Sequence, residues 1–158
     1  MKNENKHSKL VFILLTFICI SLAPTILAGE VNATSNSFEY KVLDLVNQER
    51  SKNGVAPLKM DNTLFNAAKT RSKEIKIKFS HIRPDGSYYY SVSSKVRGEN
   101  IAWGKKTPKG VMKIWMNSPM HKSNILNPRF KSIGIGYNNK GSGYWVQLFG
   151  DKKAVNKK

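Results

Sequence analysis

The chain has 158 residues, with 27 Lys and Arg against 10 Asp and Glu, for a formal net charge of +17. That length suits one domain once any targeting segment is set aside, and a content of 40% apolar and 10% aromatic residues is too high for a disordered polycation. A single Cys excludes both an intramolecular disulfide framework and a Cys-based zinc finger.

Residues 1–28 read as an address. Lys2, Lys6 and Lys9 precede an almost unbroken apolar run over residues 10–22; Pro24 breaks it, and Ile26, Leu27 and Ala28 lead to Gly29. A basic start, a short apolar stretch and a small-residue exit form a secretory signal peptide cleaved near Ala28. The run is shorter than the roughly 20 apolar residues that a membrane-crossing helix needs, so no transmembrane span is expected after cleavage. Cys19 lies inside this segment, and the residues before it lack the small side chains of a lipoprotein cleavage site. Cleavage therefore removes the thiol, along with His7, three Lys and one Glu. The exported chain would carry +15 and two histidines, His81 and His121. Its expected location is extracellular or cell-surface associated.

Such a charge attracts polyanions over long range. Export, and Lys without the clustered Arg that reads base edges, argue against nucleic acid. Anionic wall polymers and phospholipid headgroups are the partners met outside a cell; the alternative is a solvated basic surface.

Residues 29–37 are a polar, flexible lead-in. Phe38, Val42, Leu45 and Val46 recur at helical spacing, with Ser37 as the cap and Asn53-Gly54 as the stop. Pro57-Leu58 is extended. Asp61 or Asn62 caps a second helix in which Leu64, Ala67, Ala68, Arg71 and Ile75 share a face, with Arg71 contributing its stem there and pointing its head elsewhere. This helix ends near Lys78. Pro84-Asp85-Gly86 is a turn, since Pro presets φ and Gly accepts a positive φ. Residues 87–97 are rich in Ser and Tyr and fit no period, and residues 98–102 form a short segment bounded by Gly98 and Gly104. Thr107-Pro108 starts a helix with Val111, Ile114 and Trp115 inward, and Ser118-Pro119 ends it. His121 to Leu126 is one more turn. Ile133, Ile135 and Tyr137 then alternate with small residues, and Tyr144 to Phe149 alternates again after a connector rich in Gly and Asn, which predicts an antiparallel hairpin. Helices first and strands last argue for a layered α+β domain. The expected division is a domain over residues 38–151 and a basic tail over residues 152–158.

Five segments in order carry a family resemblance: Val46-Asn47-Gln48-Glu49-Arg50; Phe79-Ser80-His81 with Pro84-Asp85-Gly86; Gly98-Glu99-Asn100-Ile101-Ala102; Trp115-Met116-Asn117-Ser118-Pro119-Met120-His121 with Asn124-Ile125-Leu126; and Tyr144-Trp145-Val146-Gln147-Leu148-Phe149. Together they resemble the CAP superfamily (cysteine-rich secretory proteins, antigen 5, pathogenesis-related class 1 proteins), or SCP domain, in its bacterial secreted branch. The resemblance implies an α-β-α sandwich, with a small antiparallel sheet between helical layers and a cleft on one side. It also implies a cleft tetrad of two His and two Glu able to bind a divalent ion. His81 matches the first His and Glu99 the first Glu, whereas Ser118 stands at the second Glu and Tyr144 at the second His. His121, a feature of the bacterial branch, offers an imidazole from another backbone position.

Two imidazoles and a carboxylate are adequate zinc donors, so one expectation is a weak, exposed divalent site at His81, Glu99 and His121. The alternative is that both histidines hydrogen-bond loop carbonyls and hold the cleft walls. With no thiol left, and with Ser80, Ser118 and Ser123 outside any nucleophile elbow, nucleophilic catalysis has little to work with; a metal-assisted hydrolase would use the same three residues. Glu49-Arg50 is expected to tie the first helix to a later loop, and Asn100 and Asn124 to brace loops. Trp103, Trp115 and Trp145 are assigned to the core. Of Tyr88, Tyr89 and Tyr90, at least one lines a surface or the cleft, because three successive aromatics cannot face one core. The functional expectation is a secreted monomer acting as a binding module for a wall polymer, lipid or protein ligand. A metal-assisted hydrolase and a spore or envelope structural component are the alternatives.

Overall fold

The computed structural model describes residues 37–153. The expected signal peptide, the lead-in as far as residue 36 and the tail beyond residue 153 lie outside the described residues.

Helix α1 (Phe38–Lys52) starts at the expected cap, with the Ser37 hydroxyl accepting from the Tyr40 amide, and stops at Asn53. Strand β1 (Lys59–Met60) leads directly into α2 (Asn62–Ile77), whose first turn is capped by the Asp61 carboxylate on the Leu64 amide at 3.0 Å. The Pro-Asp-Gly turn forms with Gly86 at φ 86°, and the segment without a period contains a single 3₁₀ turn at Tyr89–Val92. Strand β2 (Gly98–Trp103), helix α3 (Pro108–Met116) behind its Thr107 cap, and helix α4 (Pro119–Ile125) follow. The hairpin is β3 (Ser132–Asn138) and β4 (Tyr144–Gly150).

The sheet order is β1-β3-β4-β2. β4 pairs antiparallel with β3 and with β2, Glu99 opposite Leu148 and Ile133 opposite Phe149. The expected small antiparallel sheet is present as β3, β4 and β2, and β1 adds a parallel edge beside β3, Lys59 opposite Ser132. Two residues carry no alternation, so this strand has no period to read. The sandwich itself is as expected. Leu64, Ala68 and Ile75 of α2 pack on Ile101, Val146 and Leu148 on one sheet face. Val42 and Val46 of α1, Trp115 of α3 and Ile125 of α4 pack with Ile133, Ile135, Trp145 and Phe149 on the other.

Glycine decides how close α2 comes. A Cβ on Gly134 would fall on the backbone of Leu64, and one on Gly136 on the Ala68 carbonyl. The small residues alternating with Ile133 and Ile135 are thus the floor on which the helix backbone rests. On the other face, Arg50 is fully buried and donates to the carbonyls of Ala56 (2.7 Å), Ile125 (2.7 Å), Asn127 (3.0 Å) and Phe130 (3.3 Å). It holds the end of α1 to the loop after α4, the role expected of it.

Gly136→Ala should destabilise the fold by about 1–3 kcal/mol, because the methyl group pushes α2 off the sheet. Denaturant unfolding checks this. Equal stability of Gly136→Ala and the parent would show that the close approach is not binding.

Candidate functional site

Close seating of α2 brings Arg71 to the edge strand β2. Its side chain and that of Glu99 are both 0% exposed, and the pair is doubly bonded: Nε to Oε1 at 2.8 Å and Nη2 to Oε2 at 3.3 Å. Arg71 also donates to Glu74 at 2.8 Å and to the Ser80 carbonyl at 2.9 Å. Burial works against the Arg71 charge, yet hydrogen bonds and attraction from Glu99 and Glu74 outweigh it and hold the guanidinium above its ordinary pKa. Glu74 in turn binds Arg83 at 2.7 Å, so charges alternate from the rim inward: Arg83, Glu74, Arg71, Glu99. The expectation that Arg71 points its head elsewhere is corrected, since the head is buried with the stem. An Arg inside the apolar stripe of a helix, together with a Glu in an apolar strand, is the signal that could have paired them.

The row ends at His81, which follows α2 and is 52% exposed; its Nδ1 lies 2.7 Å from Glu99 Oε2. A carboxylate held by a guanidinium only accepts, so Nδ1 is the donor, and in the neutral imidazole the lone pair then lies on Nε2. Among the described residues this is the one side-chain hydrogen bond that His81 makes.

His121 sits on α4, whose placement is fixed by amides. Asn100 donates to the His121 carbonyl and to Gln147 Oε1, both at 3.0 Å, while Asn124 donates to Asn100 Oδ1 at 2.9 Å and to the Glu99 carbonyl at 3.3 Å. Asn100 and Asn124 are braces, but between strand β2 and helix α4 rather than for loops as expected, and α4 covers the outer edge of β2. Burial first, and an unfavourable interaction with a protonated His81 second, push the His121 pKa down. His121 Nδ1 is buried and has no hydrogen-bond partner among the described residues.

These three residues do not fit a three-ligand zinc site. Both Glu99 oxygens are engaged and its charge is matched by Arg71, so it is not a free anionic donor. The two imidazoles that remain fall short of the three or four protein ligands of a zinc centre. Among the described residues, no group of three or more His, Cys, Asp or Glu is placed to hold a metal ion.

One aromatic ring, Tyr89, packs on His81, and further exposed rings lie on the neighbouring segments. Trp103, assigned to the core by its size, is 56% exposed at the end of β2, on the same strand face as Glu99, and meets the half-exposed Phe79 edge-on at 6.4 Å. Tyr89 packs edge-on against His81 at 5.8 Å, while Tyr88 and Tyr90 stack on each other at 5.5 Å and face solvent. Trp115 and Trp145 are fully buried, as expected. Tyr144, at the position of the family's second His, is partly buried against the α2-side core.

Arg83 first, and Arg71 after it, hold the Glu74 carboxyl below its ordinary pKa. A carboxyl depressed in the folded chain adds stability above its unfolded value of about 4.3, and that contribution is lost as pH falls through the lower folded value. The melting temperature of Glu74→Gln should therefore lie below that of the parent at pH 7, with the gap closing toward pH 3. A gap independent of pH would contradict the assignment.

Comparison with known proteins agrees with this architecture. The model of the cysteine-rich secretory protein family (CAP) matches residues 43–149. The chain is 46% identical over 122 residues to YkwD of Bacillus subtilis, described as an uncharacterized protein, covering 72% of this chain and 47% of YkwD. It is 30% identical over 122 residues to YlbC, described as an uncharacterized membrane protein of the same organism, covering 70% of this chain and 34% of YlbC. The chain thus spans less than half the length of both curated relatives. Among solved structures, it resembles an extracellular SCP-domain protein of Bacillus anthracis (TM-score 0.66, 28% identity, 72% of this chain and 40% of that one). It shares its fold with an outer surface protein of Borrelia burgdorferi (TM-score 0.61, 23% identity, 71% and 90%). Among the described residues no helix is long and apolar enough to cross a membrane. From residue 43 to residue 149, the chain belongs to the CAP (cysteine-rich secretory protein) family.

Proposed function

We propose that the chain is an extracellular binding module and that its ligand is a glycan seated over His81. The observation that carries this reading is the half-exposed His81, fixed from behind by Glu99 and packed against Tyr89, with the exposed Trp103 farther along the strand face that carries Glu99 and Phe79 two residues before His81. Sugar rings present an apolar face and a rim of hydroxyls. Trp103 and Phe79 offer surfaces for the first, and Nε2 of His81 accepts from the second. The signal-peptide pattern of residues 1–28 and the likeness to an extracellular SCP-domain protein support a site outside the cell.

A second reading rests on the same hydrogen bond. An imidazole whose Nδ1 proton is held by a buried carboxylate is arranged as a general base at Nε2, able to take a proton from water. Among the described residues no serine hydroxyl bonds His81, so water rather than a side chain would be the nucleophile.

Titration with soluble wall-derived glycan chains separates these readings. Trp103→Ala and His81→Ala should each weaken binding by about tenfold, or ~1.4 kcal/mol, with the chains recovered intact. Affinity unchanged in both variants would remove the surface around His81 and Trp103 as the binding site. Cleavage of the chains that is lost in Glu99→Gln would replace the first reading with the second.

A further inference from the structure

The face of α2 turned away from Glu99 carries a second feature. Lys69, Lys73 and Lys76 stand at i, i+4 and i+7, and Lys140 of the β3–β4 connector joins them around an open groove of about 540 Å³. Asn138 closes one side, its amide reaching the Ser72 carbonyl at 3.4 Å. No carboxylate lines the groove, and none of these four lysines enters an ion pair among the described residues. The nearest acid on the helix, Glu74, is already bound to Arg71 and Arg83.

We propose that this groove binds a base-free linear phosphodiester polymer, an inference that goes beyond the His81 site and stands without it. Seven residues of helix span about 10 Å, so the three α2 charges are spread for successive anions along a chain rather than for one compact ion. Lysine supplies point charges suited to phosphate, and the groove has none of the planar arginine forks that select carboxylates. Tyr137 is its one aromatic, and that ring is stacked at 3.9 Å on Trp145, which leaves no platform for bases. A walled groove also admits a chain more readily than a flat bilayer surface.

The test is titration of the protein with a glycerol-phosphate decamer across a range of salt. It compares Lys73→Gln/Lys140→Gln with Lys109→Gln/Lys113→Gln, an equal charge loss on α3 across the sheet. The groove variant should bind at least tenfold more weakly and lower the salt slope of log K by about 1.4, at ~0.7 per phosphate contact; the α3 variant should change affinity less than twofold. Equal losses in the two variants would assign binding to the general positive field and overturn the groove. Three further arms also bear on it: orthophosphate binding as tight as the decamer, tighter binding of an oligothymidylate of equal charge, or retention on phosphatidylglycerol vesicles without decamer binding. Each of these would overturn the assignment to a base-free chain.

Discussion

Arg71 and Glu99 face each other with no exposure to water, and the arrangement around His81 depends on that contact. Removing two charges from solvent costs several kcal/mol per ion, so such a pair persists only with good geometry and with its remaining donors satisfied. Both conditions hold. The guanidinium meets both oxygens of Glu99, and its other donors reach Glu74 and the Ser80 carbonyl. The contact requires α2 to lie close to the sheet, and that in turn requires glycine at positions 134 and 136. A packing constraint in the third strand is thereby converted into the orientation of an imidazole at the opposite edge.

Much of the fold was legible because it rests on local chemistry. Ser37, Asp61 and Thr107 cap the helices they were expected to cap, and the alternation of Ile133, Ile135 and Tyr137 with small residues marks a strand that buries one face and admits a helix on the other. β1 was not legible, since two residues have no period. Trp103 misleads because burial follows from place in the sheet as well as from size: it ends the edge strand, where the layers stop.

The site was legible only in part. Glu99 and His81 lie 18 residues apart with no local signature, and the family resemblance rather than spacing brought them together. That resemblance points to a metal set, whereas the geometry makes Glu99 the partner of Arg71 and the support of His81. The periodicity of α2 puts Arg71 on the buried face but does not name its partner, because helical periodicity reports which side is buried and not what is buried with it. Family membership likewise fixes the frame and leaves function to the side chains the frame presents. Here those are an oriented imidazole beside Tyr89 and, separately, four lysine ammonium groups that enter no ion pair among the described residues.

The central claim, that buried Glu99 fixes the tautomer of His81, is tested most directly by ¹⁵N NMR of the imidazole at a pH well above 6.5, where a free histidine is neutral. The account predicts a protonated Nδ1 and an unprotonated Nε2. A signal showing the proton on Nε2 would contradict it.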